Sequence, residues 1–186
     1  MRSVSSLGVL ASLVACVSAL TATSNCVSTT SKSGFLPLVS SGNAAPLLIS
    51  PDEWPAVQRA ANDFVSDIKR VTGVTAKLTN VTSTATVSKN NLPIIIGTLG
   101  HSSLIDSVLS HATAAAQPFT AIKGSWEAFH AQIVSNPLPG VPQAYVIVGA
   151  DRRGTIFALY ELSEQMGVSP WFWSIFSHCL CFALSD

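Results

Sequence analysis

The stretch YVIVGADRRGTIFALYELSEQMGVSPWFW, from Tyr145 to Trp173, holds the clearest succession of local structural signals in the chain. Tyr145 to Val148 is aromatic and β-branched, as is typical of a buried strand. Gly149 ends this run, and Asp151 is a preferred N-cap residue for the amphipathic segment that follows. Gly167 is placed to end that helix. The stretch therefore predicts a strand, a tight turn and a helix that leads into an aromatic cluster.

A second helix is predicted upstream. The spacing is that of a capping box: Ser50 is the N-cap, and Glu53 lies three residues later at N3. Pro51 occupies the first helical position, which proline favours. Gly73 closes the helix, and Asp67 falls on its predicted exposed face. The apolar residues that follow at helical spacing are Val57, Ala60, Phe64, Ile68 and Val71.

Strands and helices alternate imperfectly along the rest of the chain. Pro93 to Ile96 is an apolar run typical of a central strand buried on both faces. Ala112 to Gln117 is predicted to be a loose connector. Trp126 to Val134 alternates as a strand does, and a turn at Asn136 to Gly140 would pair it with the next strand as a neighbouring hairpin. These elements predict an α/β (α+β) fold, with a mixed β-sheet and helices packed on it.

Composition excludes several functions. The chain has 186 residues, a formal net charge of +0 and 11% charged residues, so it offers no basic stripe for nucleic acid. The spacing Gly97-x-x-Gly100 lacks the remaining residues of a phosphate-binding loop. The sequence His178 to Cys181 lacks the spacing and the second cluster of a metal site. We therefore predict no cofactor and no metal.

The first residues have the pattern of a secretory signal. Arg2 supplies a positive charge, Leu7 to Val17 is apolar, and Ala19 ends a small-x-small cleavage site. A membrane anchor is the alternative, but the apolar run is shorter than the about 20 residues that span a bilayer. We therefore expect residues 1–19 to be a signal peptide, and the mature chain to be secreted, extracellular and not membrane-bound.

The predicted secretion bears on the cysteines and on one asparagine. Residues 20–44 form a polar lead-in, and Asn80 opens the sequon Asn-Val-Thr, which predicts N-glycosylation. Removal of the signal would leave Cys26, Cys179 and Cys181, an odd number that leaves the partner of Cys26 open.

Four ordered motifs carry a resemblance to a known family. They are Gly149 to Trp173, PIIIGTLGHSSLID from Pro93 to Asp106, GSWEAF from Gly124 to Phe129 and NPLPGV from Asn136 to Val141. Together they resemble the N-terminal domain of glycoside hydrolase family 115, the xylan α-1,2-glucuronidases. Related sequence motifs occur in the family 67 α-glucuronidases. The resemblance covers roughly residues 45–173. It implies an α/β domain like the N-terminal domains of β-hexosaminidases and α-glucuronidases.

The resemblance also implies what lies outside this chain. In the family a catalytic (β/α)8 barrel follows this domain and carries the catalytic carboxylates, so the resemblance assigns no catalytic residue here. Residues 174–186 depart from the family pattern, and we expect this tail to reflect translated intron or a frame change, with a real short isoform as the alternative.

Three acidic residues are candidates for catalytic groups. Asp151 follows a predicted strand end, where active sites of α/β folds often lie, but a helix N-cap accounts for it. Glu161 and Glu164 are one turn apart on a helix face predicted to be solvated. We therefore predict no catalytic residue in this chain.

Four residues are candidates for substrate binding. Arg152 and Arg153 have the chemistry to clamp a uronate carboxylate, with a salt bridge to the barrel or solvent exposure as the alternative. Trp171 and Trp173 have the chemistry of a sugar-stacking platform, with packing at a domain junction as the alternative.

Two functions remain open. The first is an accessory domain of a secreted xylan-acting α-glucuronidase, an enzyme by family whose barrel binds glucuronoxylan or xylo-oligosaccharides, whereas this chain alone is inactive. The second is a stand-alone carbohydrate-binding or interaction domain. The sequence leaves the oligomeric state open.

Overall fold

The computed structural model describes residues 27, 28, 30, 35–81 and 92–169. The predictions for the signal peptide, the cysteines, Trp171, Trp173 and the tail therefore fall outside the described residues. Within them, no helix is long and apolar enough to cross a membrane.

The described strands, numbered in chain order, form two sheets. The strands are β1 (Val39–Ser40), β2 (Asn43–Ala44), β3 (Leu47–Ile49), β4 (Leu78–Asn80), β5 (Ile94–Thr98), β6 (Phe129–Leu138) and β7 (Val141–Gly149). A small antiparallel sheet joins β1 to β2, and the main sheet has the order β4-β3-β5-β7-β6. In the main sheet β3 is parallel to β4 and β5, β5 is parallel to β7, and β6 is antiparallel to β7.

Helices cover both faces of the main sheet. They are α1 (Pro55–Thr72), α2 (Ser103–His111), α3 (Thr113–Ala121) and α4 (Arg152–Gln165). On one face α1 and α4 pack over Ile94 and Ile96, and on the other α2 and α3 pack over Ile95. Because alternate strand residues point to opposite faces, burial on both sides requires an unbroken apolar run such as β5. The predicted mixed sheet with helices packed on it is confirmed, and the described residues form no closed barrel.

The predicted capping box of α1 is wrong. The helix begins at Pro55, and its N-cap is Trp54, whose side chain makes no capping hydrogen bond. Ser50 instead pairs its hydroxyl with that of Ser103 at 2.9 Å, and Glu53 reaches across to Thr98. A capping box is a local pattern, and here partners distant in sequence hold its two polar residues.

The buried face of α1 largely follows the predicted apolar spacing. Val57, Ala60, Phe64 and Ile68 are buried, whereas Val71 in the last turn is exposed. Gly73 ends the helix at a φ of 73°, as predicted. Asp67 is not on the exposed face: it is 8% exposed and pairs with Arg70 one turn later. The neighbouring arginine makes burial of this carboxylate tolerable.

Two segments differ from their predicted structure. Ala112 to Gln117 was predicted to be a connector, but α3 occupies most of it, because a run of alanines has high helix propensity. The predicted turn at Asn136 to Gly140 is shorter, since β6 continues to Leu138 through a register shift and turns at Pro139 and Gly140. The hairpin between β6 and β7 is antiparallel.

Replacing Phe64 by alanine should destabilise the fold strongly. The side chain is 3% exposed at the centre of the α1 stripe, and truncating a buried phenylalanine costs about 3 to 5 kcal/mol. Ser66→Ala is the matched control, because Ser66 is exposed and bonds within its own helix, so its effect should stay within about 0.5 kcal/mol. Urea unfolding of both variants measures the difference, and equal shifts in midpoint would contradict the assigned face.

Candidate functional site

The polar residues of interest lie at one edge of the main sheet. The parallel strands β3, β5 and β7 all end there: Thr98 is the last residue of β5, and the segments after β3 and β7 carry Glu53 and Asp151. In open α/β sheets, ligands bind outside the carboxyl ends of the strands. This edge is therefore where the described part of the chain should be searched for a site.

Glu53 is buried at this edge with its carboxylate fully engaged. The residue is 3% exposed. Its Oε1 accepts a hydrogen bond from the Thr98 amide at 2.5 Å, and its Oε2 accepts from the Trp54 amide at 3.1 Å and from the Thr98 hydroxyl at 3.2 Å. Burial raises the pKa of Glu53, and these hydrogen bonds oppose that rise because they favour the ionised form. Glu53 thus joins the end of β3 to the end of β5.

The same network extends to helix α4. The Thr98 and Thr155 hydroxyls lie 2.8 Å apart, and the Thr155 hydroxyl donates to the Asp151 carbonyl at 3.1 Å. Both threonines are buried. The chain of contacts therefore ties β3, β5 and the first turn of α4 together through side chains that water does not reach.

Asp151 caps α4, as predicted. Its Oδ1 accepts from the Gly154 amide at 2.7 Å, and its Oδ2 accepts from the Glu127 amide at 3.0 Å. The hydrogen bond from the Glu127 amide and then that from the Gly154 amide hold the pKa of Asp151 below its ordinary value. Both carboxylate oxygens accept hydrogen bonds from backbone amides. Asp151 therefore has the position of a structural group and not of a proton donor.

Two glycines let α4 approach the sheet closely. A Cβ atom on Gly154 would lie 2.1 Å from the Ala128 carbonyl oxygen, and one on Gly149 would lie 2.2 Å from the Thr155 amide nitrogen. Neither contact is possible for a larger residue without a backbone shift. The first turn of α4 is thus held against the end of β7 and the segment before β6.

Arg152 and Arg153 emerge side by side from this fixed turn, and both are exposed. The Arg152 guanidinium lies over the Trp54 ring, 5.8 Å from its centre, and the Trp54 residue is 40% exposed. On that ring His101 stacks at 4.1 Å and 9°. Among the described residues, no carboxylate lies within ion-pairing distance of Arg152.

Arg153 has a different environment. One of its terminal nitrogens lies 2.7 Å from Glu127 Oε1. Its guanidinium also lies 5.5 Å from the centre of the Trp126 ring and 5.6 Å from that of Phe157. Trp126 is 77% exposed. Arg153 is therefore neutralised locally, whereas Arg152 is not, and substrate binding by either arginine stays a prediction.

The other predicted site residues do not converge on this edge as free groups. Glu161 accepts a hydrogen bond from Gln165 at 3.0 Å, and Glu164 is exposed on the same helix. Asn80 is exposed at the end of β4, while Thr82 of its sequon lies outside the described residues, so its glycosylation stays a prediction. No cluster of side chains in the described ranges is arranged to hold a metal ion.

Sequence reasoning missed Glu53, Trp54 and Trp126 as features of this edge. One signal for the first two was present. Pro55 follows Pro51 by four residues, and proline favours the first helical position, so a helix that starts at Pro55 leaves Glu53 outside it. No local signal pairs Glu53 with Thr98, because the two are 45 residues apart.

The fold has a counterpart among the solved structures of known proteins. It is similar to the solved structure of a 4-O-methyl-α-glucuronidase of glycoside hydrolase family 115 that has specificity for decorated arabinogalactans. The TM-score is 0.51 and the identity 29%, and the match covers 73% of this chain and 15% of that chain. No protein-family model and no curated protein matches. The chain thus has a fold related to part of a family 115 glycoside hydrolase, and it spans a small fraction of that enzyme.

Glu53→Ala should destabilise the fold by about 2 kcal/mol or more. It leaves the buried Thr98 amide without its acceptor, and each unsatisfied buried donor costs about 1 to 3 kcal/mol. Asp52→Ala is the control at the neighbouring carboxylate, which is exposed and bonded to the Ser103 amide at 3.3 Å, so its effect should stay below about 1 kcal/mol. Thermal and urea unfolding measure both, and a loss for Asp52→Ala as large as that for Glu53→Ala would refute the assigned role of Glu53.

Proposed function

We propose that this chain acts as the N-terminal accessory domain of a secreted glycoside hydrolase that removes (4-O-methyl)glucuronic acid from plant polysaccharides. The observation that carries the proposal is the similarity to the family 115 glucuronidase, at 29% identity over 73% of this chain. Fold similarity alone does not assign an activity, but the family motifs noted in the sequence support the same relationship.

The described carboxylates support an accessory role and not a catalytic one. Glycoside hydrolysis uses two carboxyl groups that flank the scissile bond. Here Glu53 is buried, Asp151 binds backbone amides through both oxygens, and Glu127 pairs with Arg153. None of these three is free to protonate a leaving group or to activate water. Catalysis in this proposal belongs to a separate domain.

The proposed substrate is defined by its glucuronic acid group. The resemblance in sequence points to glucuronoxylan or xylo-oligosaccharides, whereas the structural neighbour is specific for decorated arabinogalactans. That neighbour is a 4-O-methyl-α-glucuronidase. The shared chemistry is a 4-O-methylglucuronic acid side group, so both polymers belong in the assay.

A stand-alone carbohydrate-binding domain is the second candidate. The observation that favours it is the exposure of two tryptophans, Trp126 at 77% and Trp54 at 40%. Tryptophan is enriched at binding surfaces, and the flat faces of sugars are suitable partners for its ring.

The test is to sequence the transcript beyond the codon for Trp173 and to assay the encoded proteins. We expect a reading frame that continues into a catalytic domain, and the continued protein should release 4-O-methylglucuronic acid from glucuronoxylan or from decorated arabinogalactan. The 186-residue chain should release none, because the carboxylates of Glu53, Glu127 and Asp151 at the candidate site are engaged.

Asp151→Asn is the control for that assay. Release by the 186-residue chain that disappears in Asp151→Asn would contradict the proposal and make Asp151 catalytic. A transcript that contains no catalytic domain in any frame would favour the second candidate.

A further inference from the structure

Two adjacent arginines differ in one physical respect. Arg152 and Arg153 both leave the first turn of α4, both are exposed, and each lies within 6 Å of a tryptophan ring. Arg153 pairs with Glu127 at 2.7 Å, whereas no carboxylate among the described residues pairs with Arg152. Within the described part of the chain, the charge of Arg152 is therefore available to a bound anion.

The position of Arg152 strengthens this argument. Arg152 is the first residue of α4, where the positive end of the helix dipole adds to its charge and favours a nearby anion. The Gly154 amide already donates its hydrogen bond to Asp151. The arginine side chain, and not that amide, would therefore hold the anion. A guanidinium presents parallel N–H groups that match the two oxygens of a carboxylate.

Trp54 supplies an apolar surface beside that charge. The Arg152 guanidinium lies over its ring, 5.8 Å from the centre, and His101 stacks on the ring, while the Trp54 residue as a whole remains 40% exposed. The backbone below it is also fixed, because the Trp54 amide donates to the buried carboxylate of Glu53. A sugar acid has both features that this surface would recognise: a carboxylate and a ring edged with C–H groups.

We propose that Arg152 and Trp54 form a binding site for a uronic acid residue of an acidic polysaccharide, with the carboxylate on Arg152 and the sugar ring against the open part of Trp54. The choice of glucuronic acid as that residue rests on the proposed function. The site would hold the polymer by its charged side groups without contributing to hydrolysis.

The acidic groups nearby do not occupy Arg152. Asp52 bonds to the Ser103 amide, Glu53 is buried, and both oxygens of Asp151 bind amides. At the second arginine Glu127 competes directly with any ligand carboxylate. The site is therefore assigned to Arg152, and Arg153 serves as an internal control.

The test measures binding of the full chain to glucuronoxylan by isothermal titration calorimetry at low salt. The matched ligand is the same glucuronoxylan after chemical reduction of its carboxyl groups, which keeps the sugar rings and removes the charge. We expect binding of glucuronoxylan and at least about tenfold weaker binding of the reduced polymer, because charge-assisted hydrogen bonds are the stronger class.

Three variants locate the site. Arg152→Ala should weaken binding about tenfold or more, and Arg152→Lys should fall between it and the wild type, because lysine keeps the charge but loses the planar fork. Arg153→Ala should change the dissociation constant less than about threefold. Arg59→Ala, an exposed arginine on α1, is the matched control and should leave binding unchanged.

Three results would overturn the inference: no binding of glucuronoxylan, equal binding of the reduced polymer, or equal losses for Arg152→Ala and Arg153→Ala. Each leaves the proposed function standing if the transcript encodes a glucuronidase. Conversely, charge-dependent binding through Arg152 without a catalytic domain in the transcript would uphold this site and refute the accessory role.

Discussion

The hydrogen bonds from Thr98 to the buried carboxylate of Glu53 hold together the edge of the sheet where the candidate site lies. Removing a carboxylate from water is costly unless hydrogen bonds replace those of the solvent. Three donors do so here, from the amide and hydroxyl of Thr98 and the amide of Trp54. Because Thr98 ends β5 and Trp54 follows β3, the carboxylate keeps its partners only when these two strands are correctly placed.

The exposed surface depends on this buried layer. Thr155 carries the network from Thr98 into α4, and Gly154 brings the helix against the Ala128 carbonyl. Arg152 and Arg153 therefore project from a turn whose backbone is fixed. A binding site gains from such preorganisation, since less conformational entropy is lost when a ligand arrives.

Local signals were sufficient for much of the fold. The apolar run of β5, the Asp151 cap and the Gly73 stop each follow from residues close in sequence, and the structure confirms them. The family resemblance in the sequence also matches the related fold that the structural comparison shows. These features need no knowledge of distant partners.

Features that depend on tertiary partners were not predictable in this way. Ser50 and Glu53 match a capping box, yet their side chains bond to Ser103 and Thr98 in another part of the chain. Asp67 has the polarity of a surface residue but is buried beside Arg70. The difference in ion pairing between the two arginines of α4 likewise depends on Glu127, which precedes β6 and pairs with Arg153.

Amide hydrogen exchange at Thr98 tests the central claim most directly. If Glu53 holds this amide in a buried hydrogen bond, the amide should exchange as slowly as those inside β5, since exchange from a locked core element requires a large opening. An exchange rate at Thr98 as fast as that of Gly100 in the following turn would contradict the account.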